Sequence, residues 1–200
     1  AKVRGYIENP RASLDKDVSV SEIIGKEGYL NIIKDFGLKE PYNGLSHLVN
    51  GNIDEDFAYY FTVSEQLPSA VALGVDFKDG KCKKAGGIII QPMPNCSEDE
   101  IVILEDIARN FTDVPALLES TGAQGIIDYY FGHFEIKQLP DIQEEYKCSC
   151  SRERIAAMLL TLGKKEAFDI AEKEGKIEVG CEFCNTKYVF DKEDLKRLFK

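Results

Sequence analysis

The stretch "YKCSC" (residues 146–150) places Cys148 and Cys150 one residue apart in a chain with six cysteines among 200 residues. A second pair, Cys181 and Cys184, follows in "CEFC". Four thiols in C-x-C and C-x-x-C spacing match the ligand set of a tetrahedral Zn²⁺ ion. The loop between the pairs exceeds the usual zinc-ribbon length of about 15–20 residues, but two predicted helices fill it. We therefore predict that these four cysteines bind one metal ion.

Hydrophobic spacing and capping residues predict a small module around the cysteines, in residues 146–200. Ser151 begins a helix that Gly163 ends, and a second helix ends at Gly175. The segments "KIEVG" and "KYVF" predict a β-hairpin with C-x-x-C in its turn, and Asp191 begins a closing helix. Such a module has a marginal core, and structural zinc contributes roughly 10–16 kcal/mol of apparent binding free energy. The module is therefore expected to unfold when the metal is lost.

Cysteines of this kind are compatible with several functions. Basic residues near them in sequence could keep zinc-bound thiolates reactive towards oxidants or could be solvated surface. These residues are Lys147, Arg152, Arg154 and Lys187. A purely structural zinc site and a simple disulfide pair are the plainest alternatives. A nucleic-acid-binding zinc ribbon would use the aromatic residues of the hairpin, which we take to be exposed at the surface: Phe183, Tyr188 and Phe190. A thiol–disulfide oxidoreductase usually carries its C-x-x-C at a helix N-terminus, which the hairpin turn does not match.

The charge of the chain is unevenly distributed. Residues 1–145 carry 13 basic and 25 acidic side chains, a net charge of −12, whereas residues 146–200 carry 12 and 10, a net charge of +2. An acidic body repels the phosphates on which nucleic-acid affinity rests, so nucleic acid is disfavoured as a partner. No apolar run approaches the ~20 residues of a membrane span, and the first residues do not resemble a secretory signal. We therefore expect a cytoplasmic protein with reduced cysteines and no membrane partner.

The rest of the chain predicts an α+β fold with a strand-rich core and packed helices. In residues 1–95, two strand-like runs flank the turn dipeptide Asp79–Gly80, and prolines end the second run, "AGGIIIQPMP". Residues 96–145 become helical at Ser97, where a capping-box pattern begins. Because glycine and proline join these short helices, the pattern favours a linker over a core. The predicted domains are thus a core at 1–95, a helical linker at 96–145 and a small α/β zinc module at 146–200.

No arrangement of catalytic residues accompanies the cysteines, so we expect a binding protein and not an enzyme. His47 and His133 are the only histidines, and neither has the sequence neighbours of a catalytic triad. Cys82 and Cys96 have no partner at chelating spacing, and we interpret them as isolated thiols.

Segments along essentially the whole chain match a known family. The C-terminal segments are "CSCSRER", "LLTLGKKE" and "EKEGKIEVGCEFCNTKYVF", and the upstream ones are "VRGYIENP", "IKDFGLKEPYNG", "DFAYYFTVSEQLPSAVALGV" and "AGGIIIQPMP". Together they resemble the redox-regulated thirty-three-kilodalton heat-shock chaperone family. The family's core begins with roughly eighty residues that have no counterpart here, so by length the resemblance implies a truncated core.

The resemblance implies an ATP-independent holdase of the cytoplasm that binds unfolding proteins under oxidative stress. In the reduced, inactive form, Cys148, Cys150, Cys181 and Cys184 would hold one Zn²⁺ per chain. Oxidation would form the disulfides Cys148–Cys150 and Cys181–Cys184, release the zinc and destabilise the linker. The active form would expose apolar surface to unfolded clients and would be a homodimer.

Overall fold

The structure is a computed structural model that describes residues 2–8, 19–78 and 81–200. This part of the chain forms seven helices and eight short strands, and the strands pair into four two-stranded sheets. In chain order the elements are β1 (Lys2–Val3), α1 (Val20–Ile24), β2 (Tyr29–Lys34), β3 (Tyr42–His47), α2 (Ile53–Ser64), β4 (Ala70–Lys78), β5 (Lys81–Ile90), α3 (Glu98–Ala108), α4 (Val114–Phe131), β6 (Glu145–Tyr146), α5 (Arg152–Leu162), α6 (Lys164–Glu174), β7 (Ile177–Gly180), β8 (Lys187–Phe190) and α7 (Lys192–Leu198). The mixture of helices and separate sheets confirms the predicted α+β class.

The chain divides into two compact units. The cysteine unit consists of Ala1–Pro10 and Leu139–Lys200, and the central unit consists of Arg11–Gln138. The first residues of the chain thus belong with the cysteine-bearing C-terminal part. The three functional domains at 1–95, 96–145 and 146–200 stay a prediction. Within the described residues, no helix is both long enough and apolar enough to cross a membrane.

The first half of the central unit is a hairpin covered by a helix. β2 and β3 pair antiparallel, with Ile32 opposite Gly44. A side chain at Gly44 would collide with the ring of Tyr60, so the glycine lets the fully buried Tyr60 of α2 lie directly on the strand. At the start of α2 the buried Asp56 accepts a hydrogen bond from the Val49 N–H at 2.6 Å. These contacts fasten α2 to the hairpin.

A second antiparallel hairpin, β4 and β5, forms the platform for α3 and α4. Ala70 lies opposite Ile90, and the register shifts between Asp76 and Phe77. The predicted turn dipeptide itself lies outside the described residues. Gly74 and Gly86 face each other across the hairpin, and a side chain at either would collide with α4. Glycine at these two positions therefore lets α4 pack closely on the hairpin.

The helices α3 and α4 and the short loop between them supply the buried residues of the central unit's core cluster. The predicted capping box at Ser97 and Glu100 is present, and Asp113 caps α4. Gly122 has a left-handed φ of 69°, so it separates α4 into two helical stretches as the sequence suggested. The buried residues of the cluster are Ile107, Phe111, Val114 and Ile126. The sequence reveals the joints between these helices but not the hairpin on which they pack, and the linker at 96–145 stays a prediction.

The cysteine unit has its own core, built from three helices and one hairpin. Ser151 caps α5, Gly163 ends it, Gly175 ends α6 with a left-handed φ of 80°, and Asp191 caps α7, each as predicted. β7 and β8 pair antiparallel and leave residues 181–186 as the turn. The buried residues are Ile155, Leu159, Ala167, Ala171, Ile177, Phe190 and Leu195. This small core lies beneath the two cysteine pairs.

Candidate metal centre

The two cysteine pairs converge on one point of the cysteine unit. Cys148 and Cys150 lie just before α5, and Cys181 and Cys184 lie in the β7–β8 turn. All four sulfur atoms lie within 4.8 Å of one another, and all four residues are half-buried. Two sulfur–sulfur contacts cross between the pairs, at 3.5 Å from Cys148 to Cys181 and 3.3 Å from Cys150 to Cys184. The four cysteines form the only cluster of at least three metal-ligating side chains found in the described residues.

The C-x-x-C turn is held by the backbone of the hairpin. The Cys181 N–H donates to Thr186 O at 2.9 Å, and the Asn185 N–H donates to Cys181 O at 2.7 Å. Asn185 takes a left-handed φ of 55°, a conformation that asparagine tolerates better than most residues. The chain therefore reverses immediately after Cys184, and both sulfurs of the pair face the same side of the turn.

The C-x-C turn is held by two arginines that meet at the residue between the cysteines. Arg4 Nη1 donates to Ser149 Oγ at 2.8 Å. Arg154 Nη1 donates to the same Oγ at 2.9 Å and to Ser149 O at 3.1 Å. The small Ser149 side chain thus serves as an acceptor that fixes the bend between Cys148 and Cys150.

Hydrogen-bond donors also reach the sulfur atoms. The Tyr188 hydroxyl of β8 donates to Cys150 Sγ at 3.1 Å, and this bond together with burial raises the pKa of Tyr188 to about 12. Cys184 Sγ lies 3.2 Å from Thr186 Oγ1, and hydrogen bonding by the Thr186 hydroxyl and then its backbone N–H lowers the pKa of Cys184. These partners favour the thiolate form that metal binding requires.

The four thiols do not ionise independently, because a thiolate disfavours ionisation of the thiols beside it. A hydrogen bond from the Cys150 backbone N–H lowers the pKa of Cys148 to about 6. At Cys150 the Tyr188 hydroxyl favours the thiolate, but the neighbouring Cys184 and Cys148 sulfurs outweigh it and raise the pKa to about 12. Four thiolates at this spacing repel one another, so the fully ionised cluster needs a cation at its centre.

The geometry fits a tetrahedral ion with four sulfur ligands. Ligand distances of about 2.3 Å place the sulfurs of such a site about 3.8 Å apart. The two contacts between the pairs are 3.3 Å and 3.5 Å, and the cluster spans at most 4.8 Å. Two pairs of cysteine sulfurs are also the donor set that zinc prefers in structural sites. The four cysteines can therefore hold a metal ion.

The predicted basic residues occupy different places around the centre. Three of them pair with acidic side chains: Lys147 with Glu145, Arg152 with Asp194 and Lys187 with Glu178. Of the four, only Arg154 has a hydrogen bond to the C-x-C turn in the described structure. Arg4, which also reaches this turn, was missed, because nothing in the sequence links a residue so far away to Cys148.

Two of the hairpin aromatics are not free to stack on bases. Phe190 is 3% exposed and belongs to the core, so the assumption that it is a surface residue is wrong. Tyr188 is half-buried and bonded to Cys150. Alternating residues of β8 face the core, which is why an apolar hairpin residue so close to the turn is buried.

The remaining cysteines and histidines lie apart from the centre. Cys82 is exposed in β5, and Cys96 is half-buried just before α3. Burial and then the nearby Glu100 raise the pKa of the Cys96 thiol, so this thiol is poorly reactive. The ring of His47 lies 4.5 Å from that of Tyr29 in β2. None of these residues joins a metal-ligating cluster within the described residues.

Comparison with known proteins gives one consistent result. The family model described as "Hsp33 protein" matches residues 1–191. The "33 kDa chaperonin" of Clostridioides difficile strain 630 is 40% identical over 203 residues, covering 99% of this chain and 70% of that protein. The protein of the same name from Bacillus cytotoxicus is 39% identical over 204 residues, with the same coverage.

A solved structure agrees with these sequences. The crystal structure of the 33 kDa chaperonin, a heat shock protein 33 homologue, from Thermotoga maritima matches with a TM-score of 0.81 and 37% identity. The match covers 98% of this chain and 69% of that one. The relatives are named as chaperonins and not as enzymes, which supports a chaperone with a cysteine centre suited to zinc and to disulfides. The chain belongs to the Hsp33 family.

Proposed function

We propose that this protein is a redox-regulated, ATP-independent holdase of the cytoplasm. In the reduced form Cys148, Cys150, Cys181 and Cys184 hold one Zn²⁺ per chain, and the cysteine unit is folded. Under oxidative stress the cysteines form disulfides, the zinc leaves, and the protein binds unfolding clients, as a homodimer. The observation that carries this proposal is the convergence of four sulfurs within 4.8 Å on a unit with a small core.

The chemistry of the switch resides in the thiolates. Each pair of thiolates transfers two electrons to one molecule of peroxide. A sulfur–sulfur bond forms, the oxygen–oxygen bond breaks, and two protons from solvent complete two molecules of water. Each disulfide removes two ligands, and a disulfide is a poor ligand compared with two thiolates. Two such reactions therefore dismantle the centre.

The small size of the core explains why loss of the metal would matter. Seven residues form the buried cluster of the cysteine unit, and two of them are alanines, Ala167 and Ala171. Such a core contributes little free energy beyond the cost of ordering the chain. Structural zinc adds roughly 10–16 kcal/mol of apparent binding free energy in small modules. Without it we expect the cysteine unit to unfold.

The central unit offers apolar surface for clients. A cleft of about 490 Å³ lies between β5 and α4, lined by apolar side chains that include Ile88, Ile90, Ile126 and Phe131. Exposed apolar residues also lie on β4, among them Phe77 with 60% of its surface exposed. Exposed apolar surface can bind unfolded chains without sequence specificity.

The test compares reduced, zinc-loaded protein with protein treated with peroxide under mildly unfolding conditions. We expect zinc release, measured with a chromophoric chelator, to accompany suppression of light scattering by a chemically denatured test enzyme. The reduced protein should suppress little, and addition of ATP should change neither result. Complete zinc release without any gain in suppression would overturn the proposal.

Peptide mapping of the oxidised protein identifies the disulfides. We expect Cys148–Cys150 and Cys181–Cys184. Close sulfur contacts in the folded centre also join Cys148 to Cys181 and Cys150 to Cys184, so crossed disulfides would mean that oxidation finishes before the turns separate. Pairing within each turn would mean that the turns separate first.

A further inference from the structure

Part of the surroundings of the cysteines comes from the opposite end of the chain. Residues 2–6 are called segment 2–6 here, and its Arg4 is 144 residues away from Cys148 in sequence. β1 and β6 pair in parallel over two residues each. The Lys147 N–H then donates to Val3 O at 3.0 Å, so the pairing continues to the residue before the C-x-C turn.

Arg4 contacts both cysteine-bearing turns with one side chain. Its Nη1 atom donates to Ser149 Oγ at 2.8 Å and lies 3.9 Å from Cys148 Sγ. Its guanidinium carbon lies 4.3 Å from the centre of the Phe183 ring, in the C-x-x-C turn. A planar guanidinium can donate hydrogen bonds at its edge while its face packs on an aromatic ring. Arg4 thus connects the C-x-C turn to the C-x-x-C turn, in addition to the sulfur–sulfur contacts between them.

Tyr6 and Tyr146 also connect segment 2–6 to the C-x-x-C turn. The Tyr6 ring meets the Phe183 ring edge to face, with centroids 4.9 Å apart. The Tyr146 hydroxyl lies 2.9 Å from Gly5 O and 3.1 Å from Phe183 O, within reach of both carbonyls. Segment 2–6 therefore contacts the C-x-x-C turn through two side chains and one shared hydroxyl, in addition to its contacts with the C-x-C turn.

We propose that segment 2–6 is a positioning element of the cysteine centre, in which Arg4 holds the C-x-C and C-x-x-C turns at the separation that four-sulfur metal binding requires. This rests on the metal-binding part of the proposed function and not on chaperone activity. Because coupling between two binding events is reciprocal, the metal strengthens the docking of segment 2–6 by the same factor by which the segment strengthens metal binding. Loss of the metal therefore weakens the docking of the segment by that factor.

Variants of Arg4 test the effect of segment 2–6 on metal binding. Arg4→Gln removes the charge and the stacking plane, and Arg4→Lys keeps the charge but loses the planar fork. Lys2→Gln is the matched control, because it removes the same charge from the same segment and the Lys2 side chain has no hydrogen bond or ion pair within the described residues. We expect the reduced Arg4→Gln protein to lose zinc to a chromophoric chelator about ten-fold faster than wild type, with Arg4→Lys between them and Lys2→Gln unchanged.

A spectroscopic measurement separates positioning from general destabilisation. In the Co²⁺-loaded protein, the sulfur-to-cobalt and ligand-field absorption bands report the geometry of the four sulfurs. We expect these bands to shift in Arg4→Gln and to match wild type in Lys2→Gln. Bands and zinc-loss rates that are identical in wild type and Arg4→Gln would overturn the proposal.

Amide hydrogen exchange at Lys147 tests the reverse effect, that of the metal on the docking of segment 2–6, since the Lys147 N–H donates to Val3 O. We expect protection in the reduced, metal-loaded protein and loss of protection after chelation or in Arg4→Gln. Protection that survives both would overturn the coupling. If the wild type binds no metal, the proposed function fails by itself. In that case loss of protection in Arg4→Gln alone still supports docking of the segment through Arg4, and retained protection overturns it.

Discussion

The two units of this molecule are stabilised by different kinds of contact. In the central unit a helical pair packs on a hairpin, and the contacts at the joint are apolar: Pro115 and Leu118 of α4 lie directly over Gly74 and Gly86. In the cysteine unit a core cluster of seven buried residues, two of them alanines, is accompanied by four converging sulfurs. The stability of apolar packing hardly depends on redox state, whereas a thiolate centre depends on it entirely. Under the proposed function the stability of the cysteine unit is conditional on redox state, whereas the apolar packing between α4 and the hairpin of the central unit does not itself change with it. We call the cysteine unit the conditional unit and the central unit the permanent unit.

The largest expected effect concerns the conditional unit. Cys184→Ser removes one of four ligands, and we expect loss of stoichiometric zinc and unfolding of residues 146–200, since a contribution on the order of 10 kcal/mol is lost. Zinc content and amide NMR dispersion measure the two outcomes. Cys82→Ser is the control, because Cys82 is exposed in the other unit. A folded, cooperatively melting cysteine unit in metal-free Cys184→Ser would contradict the comparison.

A glycine substitution tests the permanent unit. Gly74→Ala places a methyl group into the ring of Pro115, which has little room to move because its ring is fixed to the backbone. We expect the central unit to lose about 1–3 kcal/mol of stability with zinc content unchanged. The matched variant is Gly180→Ala in β7, where an added methyl group meets nothing within 4 Å. Equal destabilisation by both variants would show that the joint between α4 and the hairpin is not tightly packed.

The smallest expected effect is a pH dependence confined to the central unit. Hydrogen bonds from the Ser97 backbone N–H and then its hydroxyl lower the pKa of Glu100 in the capping box of α3. Because the folded pKa is depressed, the ionised carboxylate stabilises the helix above its unfolded pKa, and this stabilisation is lost as the pH falls through the folded value.

Thermal unfolding of the central unit measures this effect. We expect wild type to melt slightly higher than Glu100→Gln at about pH 6 and the difference to vanish by about pH 3. Glu98→Gln serves as the control, since Glu98 is also in the first turn of α3 but does not complete the capping box. A difference that persists at the acid end would mean that the hydrogen bond and not the charge stabilises the cap.

Several helix ends could be predicted from the sequence because local chemistry determines them. Ser97, Ser151 and Asp191 begin helices by offering a side-chain oxygen to free backbone N–H groups, and Gly163 ends one. The convergence of the cysteines was also predictable, since their spacing indicates a shared ligand geometry. Both inferences need only residues close in sequence or of one special type.

Long-range packing could not be predicted in this way. The role of Arg4 depends on a contact across 144 residues, and the burial of Phe190 depends on which face of β8 meets the helices. The packing of α3 and α4 on β4–β5 depends on glycines whose purpose is visible only with Pro115 and Leu118 above them. A single sequence contains the residues of such contacts but not their pairing.

The parallel pairing of β1 with β6 has a consequence for how the protein folds. Lys2 is paired with Glu145, so forming this contact closes a long loop of the chain. Closing such a loop has a considerable entropic cost. Contacts of such high contact order form late, whereas the helices and hairpin around Cys181 and Cys184 are local and form early. The two cysteine-bearing turns can thus form before segment 2–6 docks, and the pairing of β1 with β6 would be among the last contacts to form.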